Sequence, residues 1–376
     1  MHDSAASRHF SGTYAEARSK FLEAAEARGS IIESFVLEAH RGALGEVLAM
    51  DLAYLGPPGA RKLMILSSGT HGPEGFCGSG CQVAALHDGE LMGRVERAGI
   101  GLLLVHAVNP HGFSHLHRTN EDNVDLNRNH VRFDAPLPAN AAYTEIEPFV
   151  LPATWPRSAA DESAIASYIE RHGERAFRGA LSFGQYTSPD GVFYGGRAPT
   201  WSNRTLRGIV RKYGANATHI GWIDFHSGLG PCGHGEKLYG GRNAPTEFAQ
   251  ARAWWGADVL TPFVAGESVS IGATGAVVTI ACDECPQALA LPIGLEFGTL
   301  PHDVLLPRLL ADSWLRRHPE ASAHLQRAIR RDLRDAFYCD NDEWKGKVLG
   351  QARVAMLQTI VGLGAADPAG PVEGRA

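Results

Sequence analysis

The sequence lacks the features that direct a chain to nucleic acid, to a membrane or into an export pathway. Its 376 residues contain 35 lysines and arginines against 41 aspartates and glutamates, so the formal net charge is -6 and there is no basic excess. The N-terminal residues have no basic segment before an apolar run, and no apolar run reaches the length of about 18 residues that spans a bilayer. We therefore expect a cytoplasmic protein without nucleic-acid or membrane partners. The sequence does not indicate an oligomeric state.

Cysteine is scarce as well, with six residues in the whole chain. Without an export signal, we expect these thiols to be reduced. Cys282 and Cys285 have the spacing of half a structural zinc site, and no second half accompanies them. We therefore expect neither structural zinc nor redox chemistry at this pair.

Hydrophobic residues make up 44% of the chain, which is enough for a large core. Residues 12–28 have the spacing of an amphipathic helix, and residues 31–38 and 46–55 are rich in β-forming residues. Four short apolar runs have the composition of buried parallel strands: residues 62–67, 99–108, 219–225 and 291–295. Helical patterns between these runs predict an α/β fold with a mixed or parallel sheet covered by helices.

The pattern favours a single domain over residues 1–363. Residues 131–185 contain a stretch rich in Pro, Ala and Thr without a clear period, and we interpret them as a surface insertion. Residues 302–363 are mostly helical by pattern, and residues 364–376 have the composition of a disordered tail.

A histidine and a glutamate follow the first of the four apolar runs. His71 and Glu74 are three positions apart, behind the small residues that end this run. The pair offers one nitrogen and one oxygen ligand to a divalent metal. By itself it also fits a polar loop after a strand, so a metal site requires further ligands downstream.

Two other apolar runs end at residues that would complete such a site. His226 follows the third run and is either a third metal ligand or a buried histidine bonded to its neighbours. Two imidazoles and one carboxylate would leave a fourth position on zinc for water, as in catalytic sites. Glu296 follows the fourth run, where burial would raise its pKa and suit it to act as a general base. The alternative for Glu296 is a solvated glutamate or one paired with an arginine.

Residues 118–129 form a loop with two arginines, four asparagines and only two apolar residues. Arg118 and Arg128 present planar donors that match a carboxylate or an oxyanion, and Asn127 adds an uncharged donor. A solvated turn, in which Asn and Asp side chains cap their own backbone, would also explain the asparagines. It would not explain why Arg128 stands between two of them.

With these motifs the chain resembles the zinc metallocarboxypeptidases of the carboxypeptidase A type. The motifs stand in that family's order: His71-x-x-Glu74, Asn109-Pro110-x-Gly112, Arg118, Asp125-x-Asn127-Arg128-Asn129, His226-Ser227 and Glu296. The segments 184–196 and 228–231 also resemble an uncharacterised bacterial branch of the family.

The resemblance implies a carboxypeptidase-like fold with a twisted, mixed, mostly parallel sheet of about eight strands and helices on both faces. It also implies a hydrolase that cleaves a peptide or other amide bond next to a free C-terminal carboxylate, using metal-activated water. One Zn²⁺ ion would be bound by His71, Glu74 and His226.

The resemblance also assigns roles to the remaining motif residues. Glu296 would be the general base, and Arg118 would stabilise the oxyanion of the tetrahedral intermediate. Asn127 and Arg128 would bind the terminal carboxylate of the substrate, a small peptide or an N-acyl amino acid.

The chain departs from the family at its tyrosine and its specificity pocket. Family members carry a mobile tyrosine shortly before the general base, but residues 270–280 contain none. Tyr239 and Tyr194 are the candidate substitutes, although neither matches the family's position. Three residues lie near the expected floor of the specificity pocket: Ala281, Asp283 and Glu284. An acid facing this pocket would select a basic side chain, and otherwise both acids would be surface residues.

Other functions stay open on the sequence alone. A small-molecule amidase or deacylase, similar to aspartoacylase, would use the same zinc ligands, and Asn127 and Arg128 are common to both classes. A non-catalytic zinc-binding module is disfavoured because Glu296 and all three ligands are present. A second metal has two candidate places: His234 with Glu236, and His115 with His117.

Overall fold

A computed structural model describes residues 6–261 and 274–366 of the chain. Eight strands form one sheet: β1 (Ile31–Arg41), β2 (Val47–Leu55), β3 (Lys62–Ser68), β4 (Gly101–His106), β5 (His219–Gly228), β6 (Gly235–Tyr239), β7 (Val259–Leu260) and β8 (Leu289–Gly298). Their order across the sheet is β1-β2-β4-β3-β5-β8-β6-β7. The central strands β4, β3, β5 and β8 run parallel, whereas β1–β2, β2–β4 and β6–β8 pair antiparallel. The predicted mixed sheet with a parallel centre is confirmed.

Helices cover both faces of this sheet, as predicted. The described helices are α1 (Tyr14–Ala27), α2 (Gly75–His87), α3 (Gly89–Arg97), α4 (Pro110–His115), α5 (Ala141–Val150), α6 (Ala159–His172), α7 (Glu174–Ser182), α8 (Trp201–Gly214), α9 (Pro245–Trp255), α10 (Ile280–Glu284), α11 (His302–Arg317), α12 (Ala323–Phe337) and α13 (Asp342–Ala365). Residues of α1, α2, α9 and α13 form one buried apolar cluster with the sheet. Residues of α8 and α10 form a second cluster with the sheet's other side chains. Successive residues of the central strands are therefore buried on both faces of the sheet. This burial explains why these strands are apolar throughout.

One described helix, α13, is long and apolar enough to cross a membrane by length and composition alone. The expectation that no apolar run of this length exists is therefore wrong. In the fold, α13 packs against α2, α9 and the central strands β3 and β5. Its Trp344, Val348, Ala352 and Ile360 are buried in the core, which accounts for its apolar composition.

A separate group of helices packs away from the two faces of the sheet. Side chains of α5, α6, α7, α11 and α12 form a third apolar cluster, and we call these five helices the helical cap. The predicted surface insertion, residues 131–185, thus contains three helices that its sequence did not predict. The reason is that α5 and α7 have only 10 and 9 residues, α5 contains Pro148, and all three helices of this stretch pack on one another.

Two strands end later than the apolar runs predicted. β5 and β8 stay paired in register through His226 with Glu296 and Gly228 with Gly298, so both candidate site residues lie within strands rather than after them. At the C-terminus, α13 continues to Ala365, so the first two residues of the expected tail are helical. Residues 367–376 of that tail lie outside the described residues.

Candidate metal centre

Neighbouring parallel strands bring the candidate site residues to one edge of the sheet. β5 lies between β3 and β8, and its His226 is in register with Glu296 of β8. The turn after β3 contains His71, and Glu74 directly precedes the first residue of α2. The carboxyl ends of parallel strands are where α/β sheets bind ligands.

His71, Glu74 and His226 converge in a geometry suited to a metal ion. Nδ1 of His71 lies 2.8 Å from Oε1 of Glu74, and Nδ1 of His226 lies 2.7 Å from Oε2 of the same carboxylate. One ligand atom from each residue lies within 4.8 Å of the other two, and all three side chains are buried. No other such group of three His, Cys, Asp or Glu side chains occurs in residues 6–261 and 274–366.

Both imidazoles have a carboxylate on their second nitrogen. Nε2 of His226 lies 2.7 Å from Oδ2 of Asp224, and Nε2 of His71 lies 3.3 Å from Oδ1 of Asp125. Asp224 in turn accepts hydrogen bonds from the hydroxyl groups of Ser67 at 2.6 Å and Thr70 at 3.0 Å. A carboxylate on Nε2 keeps a proton there and leaves the Nδ1 lone pair for a metal. Two imidazole nitrogens and one carboxylate held in this way fit zinc.

The charge of Glu74 suits it to bind a cation. Burial opposes its ionisation, but the charges and hydrogen bonds of His71 and His226 outweigh burial and hold the pKa of Glu74 well below its usual range. The carboxylate is therefore ionised at neutral pH, as a metal ligand must be.

Glu296 is affected in the opposite direction. Burial and the nearby negative charge of Glu74 raise its pKa to about 8. Its Oε1 accepts a hydrogen bond of 3.1 Å from the backbone N–H of Leu229. A divalent cation bound by His71, Glu74 and His226 would favour the ionised form and lower this pKa. This increase in the pKa of Glu296 through burial agrees with the expectation from its position near the end of a buried strand.

This raised pKa predicts a pH-dependent stability difference between the metal-free protein and its Glu296→Gln variant. The folded protein keeps the Glu296 proton up to about pH 8, whereas the unfolded chain loses it near 4.5. Folded protein therefore binds more protons across this interval, so the free energy of unfolding of wild type falls relative to the variant as pH rises through it. Denaturant unfolding of both metal-stripped proteins at several pH values checks this. Identical pH profiles would contradict it, and added zinc should reduce the difference.

Arg118 lies directly against the metal-binding group. Its Nε donates to Oδ2 of Asp125 at 2.9 Å, its Nη2 lies 2.9 Å from Nε2 of His71, and its Nη1 lies 3.4 Å from Oε1 of Glu74. A metal on Nδ1 of His71 requires the proton on Nε2, which then donates to Asp125. Arg118 loses its acceptor on the ring in that state, so its Nη2 is free for a substrate oxygen. The backbone N–H of Arg118 donates to Asp312 of α11 at 3.0 Å, a contact that the sequence did not predict.

Asn127 and Arg128 lie beside the metal-binding group but are partly occupied by protein atoms. Arg128 donates through Nε and Nη2 to the carbonyl of Ser182, at 3.1 and 2.6 Å, and through Nη1 to the carbonyl of Asn127 at 3.0 Å. Two of its five N–H groups are left for a ligand. Oδ1 of Asn127 accepts from the N–H of Val277 at 2.9 Å, which leaves the amide N–H groups of Asn127 for a ligand.

The two candidate tyrosines differ in their positions. Tyr239 lines the same cavity as the metal-binding group, but its hydroxyl lies 3.3 Å from Oε2 of Glu247. Tyr194 is buried and is absent from the cavity wall, where its neighbour Phe193 lies instead. The guanidinium carbons of Arg118 and Arg128 lie 5.0 and 5.2 Å from the centre of the Phe193 ring. Tyr194 thus does not line the cavity, and Phe193, which the structure places there, has no metal or acid–base signature that would mark it in the sequence.

The acids near the expected pocket floor do not face the cavity. Asp283 pairs with Arg207 at 3.0 Å, and Glu284 pairs with Arg207 and Arg211 at 2.7 Å. Ala281 is buried in the core between α10 and the sheet. Neither acid therefore selects a basic side chain, and the alternative, that both pair away from the pocket, holds for Asp283 and Glu284. Residues 270–273 of the segment without tyrosine lie outside the described residues, and its described part contributes Ala276 and Val278 to the cavity wall.

The two histidines of one candidate place for a second metal are bonded to other groups. Nδ1 of His117 lies 2.5 Å from Oδ1 of Asp312, and Nε2 of His115 lies 2.9 Å from the carbonyl of Arg41. His234 is exposed, and Glu236 is half-buried on β6. None of the four belongs to a metal-binding group within the described residues.

A family model described as a protein of unknown function (DUF2817) matches residues 10–351. The chain belongs to the DUF2817 family. No curated protein sequence matches it.

Solved structures similar to this chain include carboxypeptidases, as the motif resemblance predicted. The carboxypeptidase A of Helicoverpa armigera is 13% identical, with 86% of this chain and 74% of that chain covered and a TM-score of 0.42. Bovine thrombin-activatable fibrinolysis inhibitor is 10% identical, with 86% and 99% covered and a TM-score of 0.42.

The chemistry of this DUF2817 protein depends on the residues of its own site. The five residues that matter most, His71, Glu74, His226, Glu296 and Arg118, line one cavity of about 230 Å³. They come from residues 71–296, all within the part of the chain that the DUF2817 model matches.

Proposed function

We propose that this protein is a zinc-dependent hydrolase that cleaves an amide bond adjacent to a free carboxylate. One observation supports the proposal above the others. The Nδ1 atoms of His71 and His226 converge on the two oxygens of Glu74, and a protonatable glutamate, Glu296, lines the same cavity. Two imidazoles, a carboxylate and a nearby base are the groups used in metal-assisted hydrolysis.

Zinc bound by these ligands would supply polarisation of the scissile carbonyl and would lower the pKa of water from about 15.7 towards 7. Glu296 then acts as the base that accepts a proton from the attacking water, and it delivers this proton to the leaving amine. Its buried carboxylate suits both steps because burial favours the protonated form and a nearby cation favours the ionised form. The backbone N–H of Leu229 fixes its orientation.

Arg118 and the Asn127–Arg128 pair act on the substrate's charges. Arg118 is held by Asp125 and Asp312 at the edge of the metal-binding group, where its free N–H groups stabilise the developing oxyanion. Asn127 and Arg128 retain N–H donors that bind the terminal carboxylate of the substrate. The proposed substrate is a short peptide or an N-acyl amino acid.

The role of Asn127 and Arg128 predicts a requirement for the free carboxylate. With zinc bound, amidation of the substrate's C-terminus should lower kcat/KM by about 10- to 150-fold, because charge-assisted hydrogen bonds contribute about 1.5–3 kcal/mol. The measurement compares blocked dipeptides with free and amidated C-termini, for wild type and for Arg128→Lys. The variant keeps the charge but loses the planar donor pair, so it should discriminate less. Equal rates on both substrates would contradict the carboxypeptidase-type function.

A second candidate function is a small-molecule amidase or deacylase that uses the same zinc ligands. The small cavity of about 230 Å³, walled partly by the helical cap, favours it. Indifference to the substrate's carboxylate in the comparison above would support this alternative, provided that hydrolysis depends on zinc.

A further inference from the structure

The cavity at the metal-binding group has two apolar walls made by different parts of the fold. The wall on the sheet side consists of Leu238, Tyr239, Gly240, Ala276 and Val278. On the side of the helical cap, five apolar residues, which we call the cap wall, line the cavity: Leu229, Leu305, Leu306, Leu309 and Phe337. Two polar cap residues, Ser182 of α7 and His302 of α11, also line it. All five cap-wall residues belong to, or pack against, the third apolar cluster, which the helical cap forms. Tyr239 and Val278 belong to the two clusters of the sheet.

The cap wall lies next to the proposed base. The N–H of Leu229 donates to Glu296, so this residue is held at the carboxylate. A Cβ on Gly228 would lie 2.8 Å from the ring of Phe337 and 3.3 Å from Oε1 of Glu296, so the ring and the carboxylate meet at this glycine. Phe337 is held there because its carbonyl accepts a hydrogen bond of 2.6 Å from the hydroxyl group of Ser227. The helical cap therefore ends directly at the site where an amide would be cleaved.

Of the two carboxylate-binding residues, Asn127 lies at the sheet-side wall, whereas Arg128 donates to the carbonyl of Ser182 at the end of α7. Asn127 is bonded to the backbone of Val277, between Ala276 and Val278 of the sheet-side wall. A substrate carboxylate bound by Asn127 therefore places the leaving amino acid against the sheet-side wall. The acyl group, on the other side of the scissile bond, then extends along the cap wall.

We propose that the substrate is an N-acyl amino acid whose acyl group is short and apolar and binds against the cap wall. This inference rests on the proposed function. The cap-wall side chains are purely hydrocarbon, so they bind an alkyl or aromatic acyl group by burying it. A peptide in the same place would bring N–H and C=O groups of its own, and each one left unpaired would lower kcat/KM by roughly tenfold. The cavity of about 230 Å³ is also smaller than the ~300–1,000 Å³ of ordinary ligand pockets, which limits the length of the acyl group.

The first test measures kcat/KM of the zinc-loaded full chain on N-acyl amino acids that share one leaving residue. The acyl group is lengthened from acetyl through butanoyl and hexanoyl to dodecanoyl, and an N-acetyl dipeptide and tripeptide with the same leaving residue are included. We expect a rise of about fourfold per methylene, the change that corresponds to ~0.8 kcal/mol, until the cavity is full. The two peptides should be cleaved more slowly than the hexanoyl substrate, although they are of similar or greater length.

A second test changes the cap wall itself. Leu306 is half-buried, lines the cavity and lies on α11, so Leu306→Asn places a polar group in the wall at low risk to the fold. The variant should lose most of the dependence of kcat/KM on acyl length. The matched control is Leu325→Asn on α12, because Leu325 packs on the same apolar cluster but does not line the cavity. Thermal unfolding of both variants verifies that the cap is folded.

The outcomes separate this inference from the proposed function. Zinc-dependent hydrolysis with equal kcat/KM for all acyl groups, or faster cleavage of the peptides, would overturn the acyl preference and leave the proposed function intact. An unchanged length dependence in Leu306→Asn would overturn the assignment of the cap wall. Absence of hydrolysis for every member of the panel would overturn the proposed function, and this inference with it.

Discussion

The Glu296→Gln variant should lose about 10²- to 10⁴-fold in kcat while it keeps its zinc, because it removes only the group that accepts and returns the proton. Glutamine has nearly the same size, and its amide oxygen can still accept the hydrogen bond from Leu229 at 3.1 Å. The variant should therefore fold normally, and its metal content should match that of wild type. The measurement pairs metal analysis with kcat on a substrate that wild type cleaves.

A matched control is available on the surface. Glu343 is exposed on α13 and pairs with Lys347, so Glu343→Gln removes a carboxylate of the same type far from the cavity. It should leave kcat unchanged. If Glu296→Gln were as active as Glu343→Gln, the assignment of Glu296 as general base would be wrong, whatever the metal content of the two proteins.

The second large effect is expected at His226. The His226→Gln variant should fail to hold stoichiometric zinc and should lose activity, because the variant removes one of three ligands and leaves only two. We chose glutamine because its amide can still bond with Asp224 or Glu74. An apolar replacement would leave these buried carboxylates without their partner, which costs about 3–5 kcal/mol in comparable buried pairs.

The readouts are zinc content, activity and thermal stability before and after treatment with a chelator. Zinc should restore chelated wild type and raise its stability, by about 2.7 kcal/mol at a free zinc concentration of 100 times the Kd. His226→Gln should show neither response. The control is His234→Ala, which removes an exposed histidine of the neighbouring loop and should behave as wild type. Full zinc occupancy in His226→Gln would disprove the ligand set.

The types of residue at the site could be predicted from the sequence, because polar residues from different strands meet at the strand ends of α/β sheets. His71 and Glu74 are three positions apart in the chain, so their proximity can be predicted from the sequence. His226 and Glu296 are brought together by the register of β5 with β8, and only the position after an apolar run hinted at it. The orientation of the imidazole rings depends on their contacts with Asp125 and Asp224, and only the tertiary structure shows these contacts.

The specificity of the cavity could not be predicted in the same way. Asp283 and Glu284 were candidates for its floor by position along the chain, but both bind arginines of α8. Phe193 lines the cavity in place of Tyr194 because the loop turns at this point, where Phe193 has a φ of +50°. A one-residue difference of this kind reverses which side chain faces a site, and a sequence pattern does not reveal it.

The sequence by itself determined the class of fold, the ligand types and the order in which they occur, because strand patterns and metal chemistry depend on residue type and short spacing. It also indicated a carboxylate, Glu296, near the end of the last central strand, although the structure places it within that strand. Only the tertiary structure decided that Nδ1 rather than Nε2 of both histidines points at Glu74, and that residues 141–182 and 302–337 join in one helical cap beside the cavity. The physical reason is that these features depend on contacts between segments far apart in the chain, where packing of apolar faces, and not local spacing, selects the neighbours.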